Sequence, residues 1–353
     1  MVQFTLLTAI LALTELAYAQ CGSGTPDATV TGSGSSFVAT KGTKNVYTGS
    51  DYAAAIQAAI KSITSGQRVS VMASGSIGTT TIDIDSGKTF EGCGTINAVM
   101  KANKGAIRSM ASTGVSIPYL TMTGNPTFGL LFYGTTDLTL GDITMSLEAG
   151  MGIRFHRDEA ANKNVKMGTI KVTGASSHAV ETWNIDGLEI DSVVAKDCGE
   201  SGLLLQTVTN AKIGTVDGDN VGEGTGYGTL RFANNAGQIG TSYDTNIVVN
   251  KVTSRGGGRG VFCVSQSGGA EILEIDLADN GNNAILIENC YNFSIRGGTV
   301  SGGGEVRVSA RTEFPNTKLI SVTAKIDGTT VRESPCADGM TWDITGNAVK
   351  TIC

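Results

Sequence analysis

Alternating apolar and polar residues return at short intervals along residues 152–309. Each copy begins with Gly or Ala, continues through four or five residues rich in Ile, Val, Leu and Phe, and often ends in Asn or Ser. The copies start 20 to 32 residues apart, at Gly152, Ala179, Gly202, Gly228, Gly260, Ala284 and Gly304. A second alternating stretch, such as residues 188–194, follows most copies. Strands rather than long helices are therefore predicted.

A repeat of this length, built from short strands and Gly/Asn turns, is typical of a solenoid whose rungs are coils of strand. The sequence predicts an all-β fold, a right-handed single-stranded parallel β-helix with an N-terminal capping helix. Alternate strand residues face opposite ways. The first and third residues after the leading Gly or Ala should therefore fill the core, and the second and fourth should face out.

The ends of the chain differ from the repeats. Residues 1–19 hold a short apolar run that ends in Ala-Tyr-Ala, which predicts a signal peptide and a secreted mature protein beginning near Gln20. Residues 20–49, rich in Gly, Ser and Thr, are expected to form an extended lead-in. Residues 50–353 are expected to form a single β-helix domain.

Both ends of a solenoid expose its core and need a cap. Apolar residues at helical spacing predict a capping helix over about residues 50–63, with Ser50 as its N-cap. The C-terminal cap is placed at about residues 327–353, where a disulfide between Cys336 and Cys353 would close it.

Seven cysteines in an oxidising compartment predict up to three disulfides and one spare thiol. Cys263 lies in an apolar strand and is interpreted as a buried thiol. The segment Asn292-Phe293-Ser294 is an N-glycosylation sequon at a predicted turn, so a glycoprotein is expected.

A formal net charge of −6 argues against non-specific binding to nucleic acid, which needs a basic face. After the signal peptide no stretch is apolar enough to span a membrane. We expect a monomer whose partner is an acidic polysaccharide. The net charge does not exclude this partner, because the local charge of a groove can oppose the net charge.

Polar residues concentrate on the outward positions of four adjacent copies. In the copy at Gly228 the apolar pair is Leu230 and Phe232, so the register shifts by one residue and Arg231 points out. Both histidines of the chain fall in or beside this patch, with His178 at its rim. The outward residues are Arg154, His156, Glu181, Trp183, Gln206 and Arg231.

Arginine can bind carboxylates bidentately, tryptophan offers an apolar plate for a sugar ring, and histidine is a base at neutral pH. The alternative is a ladder of mixed charge that only stabilises stacking. For Asn184, Asn234 and Asn289 the structural interpretation is preferred, because turn asparagines bond the backbone.

The signal peptide, the AAIQAAI helix, the G-φ-x-φ-x-x-N strands and the repeated turn asparagines resemble those of the pectate-lyase-like superfamily. The resemblance covers roughly the mature chain and concerns the fold, without a catalytic signature. It implies a secreted protein that cleaves or remodels acidic polysaccharides.

The preferred hypothesis is a polysaccharide lyase that cleaves a uronate-containing polymer by β-elimination. His156 is the expected base and Arg231 the alternative. Arg154, Arg231 or Ca²⁺ would stabilise the developing enolate. Glu181, Trp183 and Gln206 would position the sugar, and His178 is a weaker substrate-binding candidate.

Two alternatives stay open: an inverting glycoside hydrolase that uses Glu181 with Asp158 or Glu288, and a non-catalytic wall-binding protein. The segment from Asn184 to Gly187 resembles N-x-D-G of polygalacturonase-type hydrolases, but the other segments of that pattern are missing. No protein metal site is predicted, although Asp217, Asp219 and Glu223 could supply oxygens to Ca²⁺.

Overall fold

The computed structural model describes residues 20–353, which form one helix and 27 strands. The predicted signal peptide, residues 1–19, lies outside the described residues. The helix α1 spans Tyr52–Ser62. The strands are β1 (Ala28–Ser33), β2 (Ser36–Lys41), β3 (Lys44–Gly49), β4 (Arg68–Val71), β5 (Gly75–Gly78), β6 (Ile82–Asp83), β7 (Thr89–Ala98), β8 (Gly105–Met110), β9 (Ser116–Gly124), β10 (Phe128–Tyr133), β11 (Thr136–Leu147), β12 (Met151–Phe155), β13 (Asn162–Thr173), β14 (Val180–Cys198), β15 (Leu203–Val221), β16 (Leu230–Ala233), β17 (Ile247–Arg255), β18 (Arg259–Cys263), β19 (Gly268–Ala278), β20 (Asn283–Glu288), β21 (Tyr291–Ile295), β22 (Gly298–Ser301), β23 (Glu305–Ser309), β24 (Lys318–Asp327), β25 (Thr330–Ser334), β26 (Thr341–Thr345) and β27 (Val349–Thr351).

The strands coil into a parallel β-solenoid of about 12 turns with a single helix near the N-terminus, as predicted. One stack of parallel strands, the first stack, is ordered β6, β8, β10, β12, the start of β14, the start of β15, β16, β18, β20, β23, β25 and β27. The remaining parts of β14 and β15 pair with β13 and β17 in a second set of stacked strands. The outer surface of the first stack is called the first face below.

Inward side chains of successive rungs form columns in the core. Ile153 pairs with Val180, and Val180 pairs with Leu203, and all three are fully buried. Gly152 begins its rung without a side chain because a Cβ there would lie 2.3 Å from the carbonyl oxygen of Ala179. Close approach of backbone at this bend therefore explains why the repeat begins with a small residue.

The N-terminal region is more regular than the expected lead-in. Within residues 20–49, β1 and β2 pair antiparallel, β2 and β3 do the same, and β1 also pairs in parallel with β4. This meander extends the first coil. Helix α1 follows it and buries Ile56, Ala59 and Ile60 in the main core, so that it covers the end of the solenoid.

The predicted N-cap, Ser50, is wrong by one residue. The carboxylate of Asp51 accepts a hydrogen bond from the backbone N–H of Ala54 at 3.0 Å, and Asp51 is the N-cap. Both residue types are good caps, so the position of the first helical residue, Tyr52, decides between them.

Turn asparagines recur in left-handed backbone conformation, which Asn tolerates better than most residues. Asn184, Asn234 and Asn289 have φ of 54°, 50° and 51° and close first-stack strands. Asn184 donates to the carbonyl oxygen of Arg157 at 2.8 Å, and Asn289 accepts from the backbone N–H of Arg311 at 2.9 Å. These contacts support the structural interpretation for Asn184 and Asn289.

Asn234 and Asn292 form side-chain hydrogen bonds of a different kind. The side-chain nitrogen of Asn234 donates to Gln206 Oε1 at 2.6 Å and so joins the candidate site. Asn292, the sequon residue, donates to the carbonyl oxygen of Tyr243 at 2.7 Å. A glycan at Asn292 would be attached to this same nitrogen, so the folded sequon is already engaged.

Three disulfides cross-link the described chain. Cys336–Cys353 is confirmed, and Cys21–Cys93 joins the N-terminus to β7. The prediction for Cys263 is wrong, since Cys263 is bonded to Cys290 and the buried free thiol is Cys198. Periodicity showed that Cys263 points inward but could not show that Cys290 lies beside it. Three disulfides suit an oxidising compartment.

The helix of the described residues has 11 residues, and no helix in residues 20–353 is long and apolar enough to cross a membrane.

One left-handed position carries an unsuitable residue. Leu319 has φ of 57° and is 57% exposed, in the position where Asn292 stands one rung earlier. We expect Leu319→Asn to raise the free energy of unfolding by about 0.5–1 kcal/mol, because left-handed backbone disfavours a leucine side chain. Denaturant unfolding measures this change. The control is Leu273→Asn, at an exposed position inside β19, which should destabilise the protein because Asn is unfavourable in strands.

Candidate functional site

One column of outward side chains runs along the first face. Leu204 pairs with Arg231, which confirms the predicted one-residue shift in register. In rung order the column holds Arg108, Leu131, Arg154, Glu181, Leu204, Arg231, Phe262, Leu286, Arg307 and Arg332. Neighbouring rungs are about 4.8 Å apart, so each of these side chains packs against the next.

Glu181 is the centre of the predicted patch. Its Oε1 accepts hydrogen bonds from Trp183 Nε1 at 3.0 Å and from Gln206 Nε2 at 3.1 Å. Its Oε2 lies 3.4 Å from Arg154 Nη1. The structure therefore brings together four of the predicted site residues, with Asn234 added through Gln206.

This network is buried, although it lies on the outer surface of the solenoid. Glu181 is 7% exposed and Gln206 is 4% exposed, although both point away from the solenoid core. Long side chains on adjacent rungs cover one another, which alternation along a single strand does not reveal. Glu181 Oε1 accepts two hydrogen bonds, Oε2 faces the Arg154 guanidinium, and burial withdraws the carboxylate from a substrate.

His156 is not part of the Glu181 network. Strand β12 ends at Phe155, and its pairing with β14 ends at Arg154 and Glu181, so His156 lies just beyond the paired strands. Its Nδ1 accepts a hydrogen bond from the backbone N–H of Asp158 at 3.2 Å. Its ring meets the edge of Tyr133, with ring centroids 6.3 Å apart.

His178 is buried and belongs to a different cluster. Its Nδ1 accepts from the backbone N–H of Ser201 at 2.9 Å, and its Nε2 lies 3.0 Å from Glu200 Oε2. In both histidines the Nδ1 lone pair faces a backbone donor. We assign the neutral form of each as the tautomer with its proton on Nε2, and this tautomer offers no free lone pair to a substrate.

Arg231 and Arg259 form an unusual pair on the first face. The guanidinium carbons lie 5.2 Å and 4.4 Å from the ring centroid of Phe262. Arg259 donates to Asn283 Oδ1 at 3.0 Å and to the carbonyl oxygen of Thr225. Within residues 20–353 neither arginine forms an ion pair with a carboxylate, and Arg231 Nε is buried without a hydrogen-bond partner.

Other arginines on this face have carboxylate partners. Arg108 pairs with Asp83, Arg154 with Glu181, Arg307 and Arg332 with Glu305, and Arg311 with Glu288. The Arg231–Arg259 pair is therefore an excess of positive charge at one place in a chain whose net charge is negative.

Burial acts on both members of the pair. Desolvation lowers the pKa of Arg231, and the charges of Tyr227, Glu200 and Glu181 offset part of that effect. Desolvation, together with the charge of Arg231, lowers the pKa of Arg259 to about 10. Two neighbouring cations that are both partly desolvated favour an anionic ligand.

Sequence reasoning missed three members of this region: Glu200, Tyr227 and Arg259. The ring of Tyr227 lies 5.8 Å from the guanidinium carbon of Arg231 and edge-on to His178 at 5.7 Å. Glu200 and Tyr227 lie in turns, where periodicity does not define direction, and Arg259 is the first residue of β18, just before the repeated phrase. The lengthened spacing of 32 residues after Gly228 was the only sequence signal near them.

The acids proposed for hydrolysis or calcium binding are paired or scattered. Asp158 pairs with Arg157 at 3.0 Å, and Asp219 pairs with Lys196 at 2.9 Å. Within residues 20–353 three potential metal ligands come together only at Cys21, Glu91 and Cys93, where both sulfurs belong to a disulfide.

Two adjoining clefts of about 610 and 580 Å³ lie away from the first face. They share Glu189 and Lys212, and Glu189 forms an exposed ion pair with Lys166. A third cleft, of about 400 Å³, is lined by Thr225 and Gly258, which neighbour Tyr227 and Arg259. Only the third adjoins the unpaired arginines, and we place the candidate site there.

Comparison of the chain with protein-family models, with curated proteins and with solved structures finds no match. The parallel β-solenoid is compatible with proteins that act on or bind polysaccharides.

The Glu181 network should contribute mainly to stability. We expect Glu181→Ala to lower the free energy of unfolding by about 2–4 kcal/mol, because Arg154 would lose its carboxylate and two donors their acceptor. Denaturant unfolding tests this expectation. Glu189→Ala removes an exposed ion pair with Lys166 and should cost about 0–1 kcal/mol. Equal effects of the two substitutions would contradict it.

Proposed function

We propose that the protein is a secreted, monomeric polysaccharide lyase that cleaves a uronate-containing polymer by β-elimination. The observation that carries the proposal is the pair formed by the half-buried Arg231 and the buried Arg259, neither of which forms an ion pair with a carboxylate within residues 20–353. A uronate supplies the missing carboxylate, and guanidinium groups match its planar geometry.

Arg259 is suited to hold the carboxylate. Its Nε and Nη1 are fixed by Asn283 and by the backbone of Thr225, so the guanidinium keeps one orientation. A fixed cation beside the carboxylate stabilises the negative charge that spreads onto it when the α-proton leaves. Phe262 beneath the guanidinium excludes water and strengthens this interaction.

Arg231 is suited to be the base. The sequence favoured His156, with Arg231 as the alternative, but the Nδ1 lone pair of His156 is engaged by the backbone of Asp158. Burial disfavours the charged form of Arg231, which makes its neutral form more accessible than that of an exposed arginine. Its buried Nε has no competing acceptor.

Neutral Arg231 takes the proton from C5 of the uronate, and the C5–H electrons form the C4–C5 double bond. The C4–O4 bond breaks and its electron pair leaves with O4, which takes up a proton. Arg231 returns its proton to solvent. The products are a fragment with a new reducing end and a fragment that begins with an unsaturated uronide.

Hydrolysis fits the structure less well. An inverting hydrolase needs two free carboxyl groups about 6.5–9.5 Å apart. Glu181 is buried and pairs with Arg154, Asp158 pairs with Arg157, and Glu288 pairs with Arg311 at 2.8 Å. A wall-binding protein would bind the polymer through the same arginine pair without cleaving it. An activity assay distinguishes this protein from a lyase.

The purified protein, incubated with pectate, glucuronan and alginate with Ca²⁺ or with chelator, should raise the absorbance of unsaturated uronide and the reducing ends together on one polymer. Comparing the rates with Ca²⁺ and with chelator determines whether the cation assists the arginines. Reducing ends without unsaturation would show hydrolysis, and binding without either signal would show a wall-binding protein. Either result overturns the proposal.

The base is tested by substitution and pH. Arg231→Gln should lower kcat/KM by about 10²- to 10⁴-fold, the usual contribution of a general base, while His156→Gln should retain most activity. Because an arginine base is depleted of its neutral form at low pH, kcat/KM should keep rising above neutrality; a histidine base would give a plateau above its pKa of about 6.5. Arg108→Gln, on the same column, is the matched control. Loss of activity in a folded His156→Gln protein would contradict the assignment.

A further inference from the structure

A hydrogen-bonded cluster lies beside Arg231 and has no part in the removal of the C5 proton. Glu200 is its centre and lies in the turn between β14 and β15. The hydroxyl of Ser177 donates to Glu200 Oε2 at 2.5 Å, and His178 Nε2 lies 3.0 Å from the same oxygen. The ring of Tyr227 lies edge-on to His178, and its hydroxyl faces the Glu200 carboxylate. Four polar side chains from three successive rungs thus converge at the edge of the first face.

The charge of this cluster is fixed. Burial alone would raise the pKa of Glu200, but hydrogen bonds and charge from His178, with further bonds from Ser177 and Tyr227, lower it to about 2. Glu200 is therefore an anion at any pH at which the enzyme works. It orients Tyr227, and His178, held at Nδ1 by the backbone of Ser201, orients Glu200 in turn.

Tyr227 is the member that a substrate can reach. It is half-buried, whereas His178 is 6% exposed. The hydrogen bond and charge of Glu200 raise the pKa of the Tyr227 hydroxyl, so it keeps its proton at neutral and mildly alkaline pH. The tyrosine ring lies beside Arg231, and the cleft of about 400 Å³ begins two residues away at Thr225.

We propose that Tyr227 is the general acid that protonates the leaving O4 of the sugar, with Glu200 and His178 as its positioning residues. This inference rests on the proposed lyase function. In the Michaelis complex the hydroxyl hydrogen turns from Glu200 to O4, and Glu200 keeps its bonds from Ser177 and His178. As the C4–O4 bond breaks, O4 takes the proton of Tyr227.

Arg231 and Tyr227 thus complete one proton cycle. Arg231 gains a proton from C5 while Tyr227 loses one to O4, and the tyrosinate that forms lies next to the newly charged guanidinium. Transfer of a proton from Arg231 to Tyr227, directly or through solvent, restores both groups. No oxidant, metal or further reactant is consumed. The two groups need only to face the same C4–C5 bond.

A leaving-group series tests the role of Tyr227. A 4-deoxy-4-fluoro uronide eliminates fluoride, which leaves with much less need of a proton than a sugar alkoxide does. Tyr227→Phe should lower kcat on the polymer by about 10²- to 10⁴-fold and change the rate of fluoride elimination by less than about tenfold. Arg231→Gln should be impaired on both substrates, because both require removal of the C5 proton.

Tyr243→Phe is the matched control, since the Tyr243 hydroxyl donates to the backbone of Gln266 and not to the cluster. It should leave both rates unchanged. Equal loss of Tyr227→Phe on the two substrates, or no loss on either, overturns the inference while the lyase function stands. Absence of unsaturated product from the wild-type protein on both substrates would instead overturn the proposed function.

The positioning role of Glu200 has its own readout. The charged and titratable groups facing Tyr227 are Glu200, His178 and Arg231. Glu200→Gln keeps an acceptor but removes the negative charge that raises the pKa of Tyr227, so the alkaline limb of the kcat profile should move to lower pH. An unmoved limb in a folded Glu200→Gln protein would show that Glu200 has only a structural role.

Discussion

The separation of about 4.8 Å between neighbouring rungs is the constraint on which the rest of this protein depends. It places every residue in contact with its counterparts on the rungs before and after, so the choice made at one position limits the choice at the next. In the core this produces columns such as Ile153, Val180 and Leu203. On the first face the same spacing withdraws long side chains from water and makes each buried charge depend on a neighbour, as Arg154 depends on Glu181.

The same spacing explains what the sequence could predict of the fold. A repeated phrase reveals a repeated rung, and the apolar pair Leu230 and Phe232 was sufficient to align Arg231 with Leu204. Structural features that occur only once in the chain could not be predicted in this way. The antiparallel meander of residues 28–49 has no second copy for comparison, and the partner of Cys263 depends on which turn residue lies beside it. Local pattern gives the direction of a side chain, but its partner is a property of the packed rungs.

The candidate site shows the same division. Arg154, Glu181, Trp183 and Gln206 lie within the repeated phrase, so their common face could be predicted, yet their hydrogen bonds to one another could not. His156 was the predicted base because histidine is a base at neutral pH, and only its contact with the backbone of Asp158 shows that its lone pair is occupied. Glu200 and Tyr227 precede their strands, in turns whose direction has no period.

The Arg231–Arg259 pair breaks the rule that the other arginines of the first face obey. If stacking were its only purpose, a carboxylate on an adjacent rung would stabilise it better, as Glu305 does for Arg332. Instead the neighbouring rung offers Phe262, and the nearest carboxylate cluster, at Glu200, is bound by Ser177, His178 and Tyr227. The Glu200 carboxylate is thus engaged with its own neighbours and forms no ion pair with Arg231 or Arg259. Local inconsistency of this kind is expected where a sequence serves a ligand rather than its own stability.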